Sequence, residues 1–556
     1  MVSARAAAAL TTIAACLLLP ERPDAQRRGG TAPDPLVSPL TAAVWTGNSA
    51  RVRTLLDAGA DPATPDDAGA PPWVWAAVAG DTSSLAAMLE RTTDIHADNR
   101  RTATTLPLAA VQNDRQLAGE LLRRGVDVDF RAVDGSSALM LASASGFAEM
   151  AELLLDWGAD ASAQDQFGDN ALMSAVRAGA APVVRLLLQR GAAVGPHDAA
   201  QRTAMTWALR TGRDDLAAIL RASGAASESR PVRARAAATA RAAVVRTLPL
   251  LQTAAQSWLE RQRCASCHHQ PMIEQTTALA RRHGFAVDES LVRAQRERSH
   301  GNDDARRVRL EEALRSEQGV LRQSLQNGGD PAFGNGWFDA ADVAADAPRS
   351  PAATVEASLL ARLQLPDGSW QPGPPRIPIQ SSRFKTTANA VRVLAAFGPA
   401  DQRAATTAQI DRGRNWLLTH TAVTADDLTF RLFGLRWAAA AEGDVARAAD
   451  DLRRAQRADG GWAQIPGLNS DAYATGMALV ALHEAAALTP AEPVYRRGVH
   501  YLIATQEADG SWLVHKRAYP MNPYFESGFP HGKFQFISYA GSCWATMALI
   551  YAADAK

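Results

Sequence analysis

The chain has no net charge: 58 lysines and arginines cancel 58 aspartates and glutamates over 556 residues, so no bulk field draws it to nucleic acid or to an anionic membrane. Aromatic residues are scarce, at 6% against 47% apolar, which leaves alanine and leucine to supply most of the core. Alternating β-branched runs are few, so the composition points to helices. Long apolar runs are nearly missing as well. Ala6–Leu19 stands alone, and at about fourteen residues it is short for a bilayer span. At 556 residues the chain is too long for one core, which predicts two to four domains.

The apolar run follows Arg5 and gives way at Pro20 to a polar stretch through Ala25-Gln26, the layout of an export signal over residues 1–25. Ile13-Ala14-Ala15-Cys16 also resembles a lipobox, which would leave a lipid on Cys16. The expectation is a periplasmic or secreted protein, with lipid anchoring through Cys16 as the variant. No other segment is read as a transmembrane span.

What the sequence has in abundance is periodicity. Gly59, Gly125, Gly158, Gly191 and Gly224 fall on a 33-residue period with Thr92 in the missing place, and Ala43, Ala76, Ala109, Ala142, Ala175 and Ala208 keep the same period. A fixed period of this size means stacked units, none of which buries its apolar face alone. In the fourth unit Asp134-Gly135 suits a tight turn, and Ala142 is small where helices must approach. Met150, Leu153 and Leu154 form a buried stripe, and Gly158 sits at a left-handed C-cap.

These residues resemble ankyrin repeats, six of them over residues 36–225, through the Leu-Leu-x-x-Gly-Ala endings at Leu55–Ala60 and Leu187–Ala192. The family's turn histidine is replaced by Thr41, Val74, Pro107, Met140, Met173 and Thr206, which predicts weaker local hydrogen bonding on the same fold. The resemblance implies a protein partner bound through turns and inner helices. Trp45, Trp73, Trp75 and Trp207 are either anchors for it or packing between repeats.

Residues 226–245 are Ala/Arg-rich and read as a linker helix; Leu291–Asn327 reads as a solvated helical insertion. A second repeat then appears in Gln364–Trp370, Gln456–Trp462 and Gln506–Trp512, each Gln-x-x-Asp-Gly-x-Trp. Asp-Gly makes a sharp turn between helices, and the glutamine can hydrogen-bond the start of the next helix beneath the indole. This resembles the QW repeat of squalene-hopene cyclases and the related repeats of protein prenyltransferase β subunits. The resemblance implies an α/α toroid over residues 246–556 around an apolar cavity, hence an apolar small molecule as a possible ligand. The overall expectation is an all-α chain, ankyrin solenoid first and toroid second.

The families' chemistry does not carry over. Class II cyclases use Asp-x-Asp-Asp, and Asp426-Asp427 and Asp450-Asp451 lack the upstream aspartate; the prenyltransferase zinc pair Asp-x-Cys is broken by Gly541 before Cys543. The reading therefore leans away from an enzyme, with a terpenoid cyclase-like isomerase or transferase of non-standard site as the alternative.

Cys264-Ala265-Ser266-Cys267-His268 is the attachment signature of c-type haem: two thioethers to the vinyl groups from Cys264 and Cys267, and His268 as proximal iron ligand. An export signal supports it, because such attachment takes place outside the cytoplasm. Met272, Met521 and His531 are candidate distal ligands, with an open sixth position as the alternative. A Cys264–Cys267 disulfide in a non-catalytic scaffold, a zinc site and a thiol redox centre stay open. The Pro520–Gly532 loop offers Glu526 and His531 as an acid/base pair, unless they only satisfy their own loop.

Overall fold

The computed structural model describes residues 38–64, 71–92, 100–229, 237–262, 269–300, 303–326, 350–372, 378–379, 382–520, 524 and 526–553. The fold is all-α. Among the described residues the only paired strands are β1 (Trp462–Ala463) and β2 (Ser470–Asp471), an antiparallel pair of two residues each.

The first region is six helix pairs: α1 (Pro39–Trp45) with α2 (Ser49–Asp57), α3 (Pro72–Ala79) with α4 (Thr82–Leu89), α5 (Arg100–Gln112) with α6 (Arg115–Arg123), α7 (Ala138–Ala144) with α8 (Ala148–Asp156), α9 (Ala171–Ala178) with α10 (Ala181–Gln189), and α11 (Ala204–Arg210) with α12 (Asp214–Ala222). The helices are short, so their ends matter. Asn48, Asp81 and Asp114 cap second helices by accepting the amide three residues on, and Ser137, Asn170 and Thr203 do the same for first helices. Both cap series keep the 33-residue period. Gly158 closes α8 at φ +87, as its left-handed cap requires.

The missing turn histidine does not leave the turns thinly bonded. Asp165 Oδ1 accepts the amides of Phe167 and Asp169, and Asp198 Oδ1 those of Ala200 and Arg202. All four tryptophans are buried: Trp45, Trp73, Trp75 and Trp207 are 3%, 0%, 8% and 1% exposed; Trp45 and Trp75 pack on each other within the array, while Trp207 is met by His515 of the second region.

The second region contributes α13 (Ala240–Gln262), α14 (His269–Arg282), α15 (Glu289–His300), α16 (Asp303–Ala313), α17 (Glu317–Gln326), α18 (Pro351–Arg362), α19 (Arg383–Phe397), α20 (Arg403–Thr419), α21 (Ala425–Trp437), α22 (Glu442–Arg454), α23 (Ala472–Ala486), α24 (Pro493–Thr505) and α25 (Gln535–Ala553). Helices α14, α19, α21, α23 and α25 form an inner layer against α13, α18, α20, α22 and α24. The three Gln-x-x-Asp-Gly-x-Trp turns join an outer helix to the next inner one with one geometry.

In each turn the glutamine amide donates to a carbonyl of the following outer helix: Gln409, Val494 or Ala243. The indole N–H donates to a carbonyl of the helix it ends, at Leu360, Leu452 or Leu502. The tryptophan amide donates to a hydroxyl of the next inner helix, at Thr387, Thr475 or Ser542. The last glutamine, Gln506, reaches back to Ala243 and Thr247 at the start of α13 and closes the ring.

Two expectations need correction. The reading of 226–245 as linker overruns the ring, since α13 begins at Ala240 and buries Ala243 and Val244. Leu291–Asn327 is not simply solvated: Leu310 and Val320 pack with Leu359 of α18, and Gln295 donates to the Gln252 carbonyl of α13. Segment Gly532–Ala553 is long and apolar enough to cross a bilayer by length and composition, against the reading of no further span, but 78% of its 18-residue apolar window is buried.

The two regions pack together. The face of the array formed by turns and inner helices lies on the side of the ring that carries its turns. Gly47 meets Leu365 of the first ring turn, Gln371 donates to the Ala79 carbonyl, and Asn469 bridges Arg177, Ala178 and Arg213. Leu468 and Tyr519 join the apolar core of the array, and so does Leu321 of α17.

Candidate functional site at the covered mouth of the ring

Because each ring turn feeds an inner helix, the inner helices start on the covered side. Three of these starts meet. Lys385 is the third residue of α19, Asp426 the second of α21 and Tyr473 the second of α23. Lys385 Nζ donates to Asp426 Oδ1 at 2.5 Å, to the Tyr473 hydroxyl at 2.8 Å and to the Ile379 carbonyl at 3.1 Å. The Tyr473 hydroxyl also donates to Asp426 Oδ1, at 3.0 Å. Lysine and aspartate side chains are only 2% and 3% exposed.

Burial raises the Asp426 carboxyl above its ordinary range, and the Lys385 ammonium opposes that shift. Burial and the adjacent Asp426 charge lift the Tyr473 phenol further still. Asp426 Oδ2 and the buried Thr429 hydroxyl one turn below have no hydrogen-bond partner among the described residues.

Beside this trio lies a second polar group. Gln464 accepts from Arg517 Nε at 2.8 Å, and its carbonyl accepts the amide of Ala425, the first residue of α21. Asp471 caps α23 through the Ala474 amide and is raised by burial to about 6. Burial lowers the Arg517 guanidinium to about 10, the neighbouring carboxylates opposing it.

A cleft of about 350 Å³ adjoins, lined by Phe384, Trp416 and His420 with Arg383 and Asp427; its wall is mixed aromatic and polar rather than purely apolar.

The array seals the same side with charge. Lys533 pairs with Asp165 and Asp169, and Arg177 pairs with Asp169 at 2.5 Å. Lys516 pairs with Asp134 at 3.3 Å. Burial raises Asp165; for Asp169 the two cations outweigh burial and bring it to about 2. Arg177 lies 5.0 Å from the Trp207 ring and 5.1 Å from the Phe534 ring, and His515 meets both rings edge-on.

Cys264, Cys267 and His268 lie outside the described residues, as does Met521. On either side, α13 ends at Gln262 and α14 starts at His269. Trp258 stacks edge-on against Phe536, and Arg261 donates to the Glu526 carbonyl, so the 526–536 segment runs beside the end of α13. Met272 is buried in the ring core.

Glu526 and His531 are each engaged elsewhere. Glu526 is exposed and accepts from the Tyr524 hydroxyl and the Gly528 amide. The His531 Nε2 sits 2.7 Å from the Ser511 hydroxyl of the third ring turn, and burial lowers the ring to about 4. Of the residues that do come together, Asp426 alone carries a signal visible in the sequence, its pairing with Asp427.

Family comparison agrees with this geometry. Residues 73–165 and 158–230 match ankyrin repeats, and residues 415–556 match the squalene-hopene cyclase C-terminal domain. The chain joins ankyrin repeats to a cyclase-like toroid. No curated protein matches it. Among solved structures, the crystal structure of an ankyrin repeat domain from Acinetobacter baumannii AYE is similar at 22% identity, with 34% of this chain and 98% of that one covered and a TM-score of 0.31.

Proposed function

We propose that this ankyrin–toroid chain is a protein-binding module on a non-cyclising ring, with a c-type haem attached through Cys264, Cys267 and His268, in a binding or electron-transfer role after export. The observation that carries the non-cyclising part is the Lys385–Asp426 ion pair. An alkene is protonated by a carboxylic acid, whereas a buried ammonium 2.5 Å away favours the carboxylate. The haem rests on the cysteine motif and its position between outer and inner helix. Cys264 and Cys267 would hold the group through thioethers and His268 would ligate its iron; bound haem would supply one-electron transfer.

The test is the visible spectrum of protein made with a c-type maturation system, before and after acid–acetone extraction. A Soret band that stays with the protein is the expected result. A colourless protein beside a matured control removes the haem, and a two-proton mass difference on reduction then identifies the disulfide scaffold.

A second reading is favoured by one observation, the raised and half-satisfied carboxyl of Asp426. It makes the ring a terpenoid cyclase-like enzyme with Asp426, rather than Glu526, as its acid. Cyclised product from a polyprenyl substrate, lost in Asp426→Asn and kept in Glu526→Ala, would establish it.

A further inference from the structure

The array is filled by its own chain. Its finger carboxylates Asp134, Asp165 and Asp169 receive Lys516 and Lys533. Its rings receive rings: Tyr524 lies edge-on against Phe167 with centroids 5.0 Å apart, and His515 against Trp207 at 5.7 Å. At the edge of this contact Arg210 pairs with Glu507 of the third ring turn at 3.2 Å.

The segment 513–519 divides its side chains between the two regions. Leu513 and Tyr519 pack on the array core, and Lys516 bonds Asp134. Val514 lies in the ring core, and Arg517 bonds Gln464 beside the Asp426 group. Neighbouring residues 516 and 517 therefore tie the array to the mouth of the ring through one peptide unit.

Deepening the protein-binding reading above and resting on it, we propose that the array is a cap in cis. Its recognition face holds the toroid's own lysine-and-aromatic segment, Leu513–Tyr519 with Lys533. The partner it accepts in trans is a protein segment of the same chemistry, two lysines flanked by aromatic rings. The three carboxylates select it by charge, and Phe167 and Trp207 give it rings to pack on. Such a segment can enter only when the ring's own segment leaves.

Partner binding and uncovering of the inner-helix starts at Asp426 and Tyr473 are therefore one linked event. By reciprocity, whatever tightens the closed form weakens the partner. Closed, the cap holds the 516–517 peptide against the neighbourhood of the Lys385–Asp426–Tyr473 group, through Lys516 to Asp134 and Arg517 to Gln464; open, it frees that tie and loosens the helix starts beside it.

The experiment is hydrogen exchange by mass spectrometry on the full chain, with a synthetic peptide of residues 511–536 as competitor. A control peptide carries Lys516→Glu and Lys533→Glu. At saturating peptide, exchange at 424–429 and 472–476 is expected to rise about tenfold while 132–137 and 165–170 stay protected. The full-chain double variant Lys516→Ala/Lys533→Ala should respond at a peptide concentration about tenfold lower.

Absence of peptide binding overturns the proposal. So does unchanged exchange at 424–429 and 472–476, or an equal response to the control peptide. The readout contains no haem signal, so a colourless protein and an immovable cap are separate failures.

Discussion

Both halves of the molecule repeat a glycine in the left-handed region, and they use it differently. In the array Gly59, Gly125, Gly158, Gly191 and Gly224 lie at φ +84 to +88, and a Cβ on any of them would meet nothing within 4 Å. In the ring Gly368, Gly460 and Gly510 lie at +93, +87 and +93, and a Cβ would sit 2.6, 2.5 and 2.8 Å from the carbonyl oxygens of Arg412, Arg497 and Arg246. The array glycine ends its own helix. The ring glycine lets one unit touch the backbone of the next. An open stack is held by nearest-neighbour side-chain packing, whereas the ring adds close backbone contact and a final bond to its own beginning.

That contrast can be broken most forcefully at the ring mouth. Lys385→Met leaves Asp426 buried without its cation and should cost about 3–5 kcal/mol in denaturant unfolding, while Lys385→Met/Asp426→Leu recovers most of it. Among array residues the same pattern is expected of Asp165 and Asp169, whose buried carboxylates pair with Lys533 and, for Asp169, Arg177.

Next comes acid. The His531 ring is lowered to about 4, below the ordinary 6.5, so the unfolded chain takes the proton first as pH falls. Its contribution is present above pH 6.5 and is lost as pH falls toward 4. Thermal melts of His531→Gln should therefore lose about 2–3 kcal/mol less than the parent across that window.

The glycines sharpen the comparison directly. Gly191→Ala should cost about 1 kcal/mol, the left-handed penalty alone, and Gly510→Ala about 1–2 kcal/mol more. Equal costs in urea titrations would mean that the ring backbone gives way. Smallest of all, Trp157→Ser at the exposed end of α8, where Trp157 is 44% exposed, should stay within about 0.5 kcal/mol of the parent.

The architecture was legible because periodic glycines and alanines, and the three Gln…Trp strings, are imposed by local geometry: a helix end, a close approach, a turn. The cap series Asn48/Asp81/Asp114 and Ser137/Asn170/Thr203 was equally regular and went unread, being made of different residue types with one shared ability to accept an amide. The mouth of the ring was far less legible. Lys385, Asp426 and Tyr473 are separated by 41 and 47 residues and come from three repeats, so nothing in their spacing announces a cluster. Glu526 and His531 stood out because they are close in sequence. Proximity along a loop says little about contact, and each found a nearer partner in Tyr524 or Ser511. The self-occupied face of the array was invisible for a related reason, since Asp165 and Lys533 are 368 residues apart.

The bond from Gln506 to the Ala243 carbonyl spans 263 residues. At synthesis rates of about 5–20 residues per second, the first ring helix waits roughly 13–50 s for the partner that completes it. Through that interval α13 shows an unfinished apolar flank, because α25, which covers it, is made last. Ring formation is a late, high-contact-order step that follows the local stacking of the array, so a chain cut short by its last helix should keep a folded first half and a sticky, unclosed second half.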